Sequence, residues 1–320
     1  MFNINGKSYS KYLLLITAIL YITSGLLAYY LIVSYDSNRI YSLRKVSKEY
    51  RVELANDYID RVYKKNSILF IGDSQTNGHM FPTDKIFTTL LQQKLNKNVL
   101  NLAFQDARIL DNKYFLSYLK NHNMFFDKII FNVNQAHIKV SDFTHLDVKQ
   151  KEDYKLAIFK DIKSFIKLGL MPNPVSAPKE SINLAKYDNY FDMNTTGIKS
   201  YSNKLLQLIE LSKEISNETI IYITPHSKNA IIHNNVDDII NLEKFSNIIF
   251  NVCDNESIKC FHPDIVDDKY FVDIVHFNSL GHKKMTNQLE YFLQPQKIPS
   301  NTRLQKTNER VSKKYIIEPE

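Results

Sequence analysis

Glycine is scarce in this chain, with seven in 320 residues. Three of the seven, Gly72, Gly78 and Gly281, stand beside the two segments richest in reactive side chains, and glycine persists where backbone must turn sharply or approach a ligand closely. Cysteine is scarcer still, with only Cys253 and Cys260. Neither has a metal-site partner at usable spacing, so no metal is expected, and no cofactor motif is present. The two flank a polar stretch, DNESIK: a bridge there would fit an oxidising compartment, two free thiols fit equally, and spacing leaves both open. Internal repeats and nucleic-acid motifs are absent. The net charge of +7 is spread along the chain and accompanied by acids. The local basic clusters, after residue 33 and in residues 294–320, read as solvated surface, with contact to anionic lipid or polymer as the alternative; without a nucleic-acid motif, no nucleic-acid partner is expected.

Charge is missing altogether from residues 12–33, YLLLITAILYITSGLLAYYLIV. As a helix this stretch would run about 33 Å, enough to cross a bilayer. It is longer than a cleaved signal segment and has no small-residue cleavage site, so it reads as an uncleaved signal anchor after a short flank, residues 1–11. Its apolar residues lie all round rather than along one stripe, unlike a core helix. Lys7 and Lys11 precede it, whereas Arg39, Arg44, Lys45, Lys48 and Arg51 follow. That bias favours a cytoplasmic domain, yet long domains are translocated despite flanking charge, so charge leaves the orientation open.

Residues 36–65 read as a polar juxtamembrane helix uninterrupted by Gly or Pro. Five β-rich runs follow: residues 67–71, 98–104, 128–134, 219–224 and 247–252. Their apolar residues are continuous rather than alternating, as in strands covered on both faces. Helical patterns over 85–95, 110–120, 201–215 and 236–245 lie between them. The expected class is α/β, a five-stranded parallel sheet flanked by helices, in a domain spanning 66–293. Residues 140–200 form an insertion with a helix over 152–168, expected to shape or lid the acceptor site. Residues 294–320, rich in Lys, Glu and Asn, are expected to be a disordered tail.

Two segments carry chemistry, Ile71-Gly72-Asp73-Ser74 and Asp273-Ile274-Val275-His276. A serine hydroxyl is a poor nucleophile at neutral pH, so an imidazole must take its proton and a carboxylate must orient the imidazole. Ser74 lies just past the first run and His276 past the last. In parallel α/β sheets ligands bind beyond the carboxyl ends of the strands, where both residues would meet. The plain alternatives are a turn with a helix cap at Gly-Asp-Ser and a packed loop histidine at His276. His79, His137, His226 and His282 read as surface-turn residues.

In these blocks the chain resembles the SGNH (GDSL-type) hydrolases over about residues 67–293. The resemblance implies a flavodoxin-like three-layer fold and assigns Ser74 as nucleophile, with Asp273 and His276 as the closing Asp-x-x-His. It implies three oxyanion donors: the Ser74 N–H, the backbone N–H of Asp106 and the side-chain amide of Asn134. Asp106 stands where the family has glycine, in a pattern beginning at Asn101, and a carboxylate beside an oxyanion is unfavourable unless it points away. Asn134 lies in Asn132-Val133-Asn134-Gln135, the counterpart of Gly-x-Asn-Asp, with Asn132 as an alternative register.

An anchor ahead of such a domain is similar to the membrane-tethered SGNH proteins of bacterial surfaces. The resemblance implies a single-pass, extracytoplasmic esterase or O-acyltransferase acting on acyl esters of a cell-envelope glycan. A membrane-bound O-acyltransferase is the implied partner. A lipid or thioester hydrolase on the same fold is one alternative, and a non-catalytic anchored binding or assembly protein is another.

Overall fold

The computed structural model describes residues 6–35, 59–60, 62–78, 81, 83–104, 107–140, 195–235 and 237–294. Most of the expected juxtamembrane helix, His79, Asp106, nearly all of the insertion with its expected helix over 152–168, and the tail lie outside the described residues. The chain divides into two units, one containing residues 1–37 and the other containing the α/β domain.

In the first unit, helix α1 spans Gly6–Tyr35. Side chains are described for residues 12–27, where large apolar groups such as Leu14, Leu20 and Leu26 are more than half exposed. Among the residues whose side chains are described, 12–27 in α1, no helical stretch is long and apolar enough to cross a membrane.

The second unit is built on strands β1 (Ile68–Ile71), β2 (Val99–Asn101), β3 (Phe126–Val133), β4 (Ser216–Ile223) and β5 (Lys259–Phe261), all parallel, in the order β2-β1-β3-β4-β5. Each central strand sends alternate residues to opposite faces. Leu69, Ile71, Ile129, Phe131, Ile221 and Ile223 enter one core. Ile68, Phe70, Ile130, Ile220 and Tyr222 enter the other. Both faces are covered, which is why these strands read as unbroken apolar runs. Each buried Ile or Phe contributes roughly 1.5–3 kcal/mol, so neither face could be left open to water.

The first core is completed by α4 (Ile109–Asn121), α5 (Thr195–Glu214) and α7 (Asp237–Glu256), through side chains such as Phe115, Leu205 and Phe245. The second is completed by α3 (Phe87–Leu95) and α8 (Ser279–Leu293), through Phe87, Leu91, Met285 and Leu289. Two short helices lie at the carboxyl edge of the sheet, α2 (Ser74–Asn77) and α6 (Lys228–Asn234). At the described end of the expected juxtamembrane helix, Ile59 is fully buried in the first core, with Val62 and Tyr63 packed against it. That end is docked on the domain rather than polar throughout.

One expected strand is a helix. Residues 247–252 lie inside α7, and the fifth strand is formed later, by Lys259–Phe261. The run Ile248-Ile249-Phe250 has strand-like composition, but Asp238, Ile239, Leu242, Phe245, Ser246, Ile249 and Cys253 are the buried positions, at steps of one, three and four. Over the longer window the period is helical. Cys253 and Cys260 therefore link the end of α7 to β5, and they are joined by a disulfide with Cα atoms 6.0 Å apart.

The sheet order reverses direction between β1 and β3, and ligands in such sheets bind at this reversal, beyond the carboxyl ends. Ser74 follows β1 there, and Asn134 follows β3.

Candidate active site

β1 ends at Ile71, and the chain turns through Gly72 into the four-residue helix α2. Gly72 has φ of 150°, and a Cβ there would lie 1.9 Å from Asn132 Oδ1. Only glycine permits this approach, which brings Asn132 Oδ1 to accept the Asp73 N–H at 3.0 Å. Asp73 caps the helix, its carboxylate accepting the Gln75 N–H at 3.0 Å. The cap and the reactive serine are thus one device: satisfying the first turn of α2 points the next residue, Ser74, out of the edge of the sheet.

Three consecutive side chains pin α2 from below. Gln75, Thr76 and Asn77 are all buried. The Gln75 amide donates to the carbonyls of Pro225 and Val275, the Thr76 hydroxyl pairs with the Tyr222 hydroxyl, and the Asn77 amide donates to the Ala103 carbonyl. Asn101, at the end of β2, donates to the Thr76 carbonyl at 2.9 Å. The turn that carries Ser74 is therefore tied to several strand ends. Tyr222 stays protonated well beyond its ordinary value because it is buried and lies near the Asp73 charge.

The second block is a closed loop. An antiparallel bridge pairs Phe271 with Phe277, and the Val272 N–H donates to the His276 carbonyl at 2.8 Å. Asn278 then caps α8, accepting from the N–H groups of Leu280 and Gly281. Inside the loop, Asp273 Oδ1 accepts the N–H groups of Val275 and His276 at 3.0 and 2.8 Å, while Oδ2 lies 2.7 Å from His276 Nδ1. Burial would raise the Asp273 carboxyl, but the hydrogen bond and charge of His276, with the two backbone donors, outweigh it and hold it below its ordinary value. It is a stable carboxylate facing one ring nitrogen. The other ring nitrogen, Nε2, lies 2.8 Å from Ser74 Oγ. Ser74, His276 and Asp273, up to 202 positions apart, form one hydrogen-bonded line.

The two asparagine registers differ in place rather than in spare donors: Asn132 lies within β3 and Asn134 just past its carboxyl end. Asn132 accepts the Asp73 N–H and donates one amide hydrogen to Thr224 Oγ1 at 3.0 Å, holding the Gly72 turn and likewise keeping one amide hydrogen. Asn134 donates to Asp73 Oδ2 at 3.0 Å and accepts the Ala136 N–H, retaining one further amide hydrogen. The Ser74 N–H lies in the first turn of α2. Asp106, the third expected donor, is outside the described residues.

Three of the four histidines expected in surface turns, His137, His226 and His282, depart from those positions, and His79 lies outside the described residues. His226 is buried beneath the site, and burial pushes its pKa down to about 4 against the opposing charges of Asp73 and Asp273. His282 is also buried, stacking on Phe87 and accepting its N–H at 3.4 Å. His137 is partly buried, with Nε2 3.6 Å from Asp73 Oδ2. Each sits where long-range packing covers a position that reads locally as a turn. Among the described residues, no cluster of His, Cys, Asp and Glu could hold a metal.

No family model matches the chain, and no curated protein matches it in sequence. Its fold is similar to several solved structures. A lipolytic protein of the G-D-S-L family from Veillonella parvula shares 14% identity at a TM-score of 0.46, over 72% of this chain and 99% of that one. A carbohydrate acetylesterase family member from Sinorhizobium meliloti shares 12% at 0.41, over 71% and 96%. An aryl esterase from M. smegmatis shares 12% at 0.43, over 71% and 97%. At such identities the chemistry has to be argued from the site itself.

Proposed function

We propose that the chain is a serine esterase or O-acyltransferase. The observation that carries this reading is the continuous line from Ser74 Oγ to His276 Nε2 and from His276 Nδ1 to Asp273. His276 takes the hydroxyl proton as Ser74 attacks an ester carbonyl, and Asp273 stabilises the resulting imidazolium. The Ser74 N–H and the remaining Asn134 amide hydrogen are the proposed donors to the oxyanion, together with the Asp106 N–H. Collapse of the tetrahedral species expels the alcohol, which takes its proton from His276. Water or a sugar hydroxyl then attacks the acyl-enzyme by the same steps in reverse.

The proposed setting is the outer face of a membrane, with α1 as a single-pass anchor. Support comes from the uncharged stretch over 12–33 and from apolar side chains exposed around α1, which water alone would not favour. The Cys253–Cys260 disulfide supports an oxidising compartment. An acylated cell-envelope glycan is the proposed substrate class, and a membrane-bound O-acyltransferase the proposed partner, both by resemblance to tethered SGNH proteins.

Hydrolysis of 4-nitrophenyl acetate by the full chain tests the chemistry. Turnover that disappears in both Ser74→Ala and His276→Ala is expected; turnover unchanged in either variant would remove that residue from its role. A reporter fused after Glu320 tests the setting, and reporter activity confined to the cytoplasm would overturn it.

A further inference from the structure

Gln75, next to the nucleophile, plays no part in the acyl-transfer steps, yet its buried amide reaches two distant loops. Nε2 donates to the Val275 carbonyl at 2.7 Å and to the Pro225 carbonyl at 3.0 Å. The side chain is 1% exposed. Its orientation is unambiguous, because a flipped amide would put Oε1 against two carbonyl oxygens. Val275 immediately precedes His276, and its own N–H is held by Asp273 Oδ1. The loop that presents the imidazole is therefore tied directly to the helix that presents the serine. Pro225 immediately precedes the buried His226, so the same amide also fixes the loop after β4 beneath the site.

The chemical argument concerns distance. Ser74 and His276 belong to opposite ends of the sequence, and a proton passes between them only while Oγ and Nε2 stay within hydrogen-bond reach. The Ser74–His276 bond cannot keep that distance itself, because it is broken and remade during each turnover. A tie that takes no part in proton transfer can. A residue kept for packing alone would do better as an apolar side chain: Gln75 Oε1 has no hydrogen-bond partner among the described residues, a cost that a methionine of similar length would avoid.

The geometry points to Gln75 as a positioning residue that sets the Ser74–His276 distance through its bond to the Val275 carbonyl. This rests on the reading of Ser74 and His276 as nucleophile and base. Gln75→Met keeps length and burial but removes both donors, and it lowers the rate of Ser74 labelling by a fluorophosphonate about 10- to 100-fold, the scale of a misplacement near 1 Å. For a nitrophenyl ester the loss falls on kcat, with KM little changed, because the tie touches no substrate.

A double-mutant cycle in the full chain tests this. Gln75→Met and His276→Ala are made singly and together, and labelling of Ser74 is timed by mass spectrometry. If Gln75 acts by placing the imidazole, Gln75→Met has no further effect once His276 is alanine. An equal fold-loss in both backgrounds would show only general destabilisation and overturn the inference, as would wild-type labelling in the single variant. Should Gln75→Met fail to fold, Gln75→Asn, one methylene short of Val275 but still polar, takes its place with the same expectations. Failure of the underlying reading is distinguishable: the wild-type chain would then show no labelling at Ser74.

Discussion

The Asn134 side-chain amide donates to the Asp73 carboxylate at 3.0 Å, so the residue proposed as an oxyanion donor also holds the carboxylate that caps α2. Asn132, two residues earlier and within β3, instead accepts the Asp73 N–H and donates to Thr224. Both lose hydrogen bonds on truncation, but only Asn134 is the proposed oxyanion donor, so it is their kinetics that should differ. Asn134→Ala is expected to lower kcat for a nitrophenyl ester by about 10²–10³-fold, the usual effect of losing one oxyanion donor, with a stability loss of about 1–3 kcal/mol. Asn132→Ala is expected to lower stability by about 1–3 kcal/mol, by leaving buried polar groups unpaired. Parallel kinetics and urea unfolding of both variants would expose a wrong assignment as the reverse pattern.

Asp273→Asn should preserve the loop yet lower kcat by about 10⁴-fold, because an amide stabilises the wrong imidazole tautomer. Its carboxyl also contributes to acid stability. The folded value lies below the ordinary 3.8, so the contribution is complete above that pH and is lost as pH falls through the lowered folded value. Acid unfolding followed by circular dichroism should be less steep below pH 3.8 in the variant than in the wild-type chain. Identical curves would contradict the assignment.

His226 gives a second, separate pH effect. Its folded pKa of about 4 lies below the ordinary 6.5, so the unfolded chain takes up the proton first. Stability is complete above 6.5 and declines as pH falls from 6.5 to about 4, below which this group changes it no further. His226→Gln should remove this slope from chemical unfolding measured between pH 7 and 4. A variant that keeps the slope would place the titration elsewhere.

How much of this was legible beforehand follows from the range of each interaction. The Gly-Asp-Ser and Asp-x-x-His blocks are local: a cap, a turn and an i,i+3 contact fix most of their geometry, and the unbroken apolar runs reveal strands covered on both sides. Residues 247–252 misled because six residues cannot separate a strand from the middle of a buried helix, whereas the spacing of Ile239, Leu242, Phe245, Ile249 and Cys253 over fifteen can. Gln75 and the buried histidines left no local trace. Their partners lie up to 200 residues away, and the one available sign was a polar side chain directly after the serine.

The most direct test of the central claim is to treat the full chain with a fluorophosphonate and map the adduct by mass spectrometry, alongside His276→Ala. A serine activated by a hydrogen bond to His276 Nε2 predicts a single adduct on Ser74, formed at least about 10³-fold more slowly when the imidazole is removed. Labelling of another residue, or of Ser74 at an undiminished rate without His276, would contradict it.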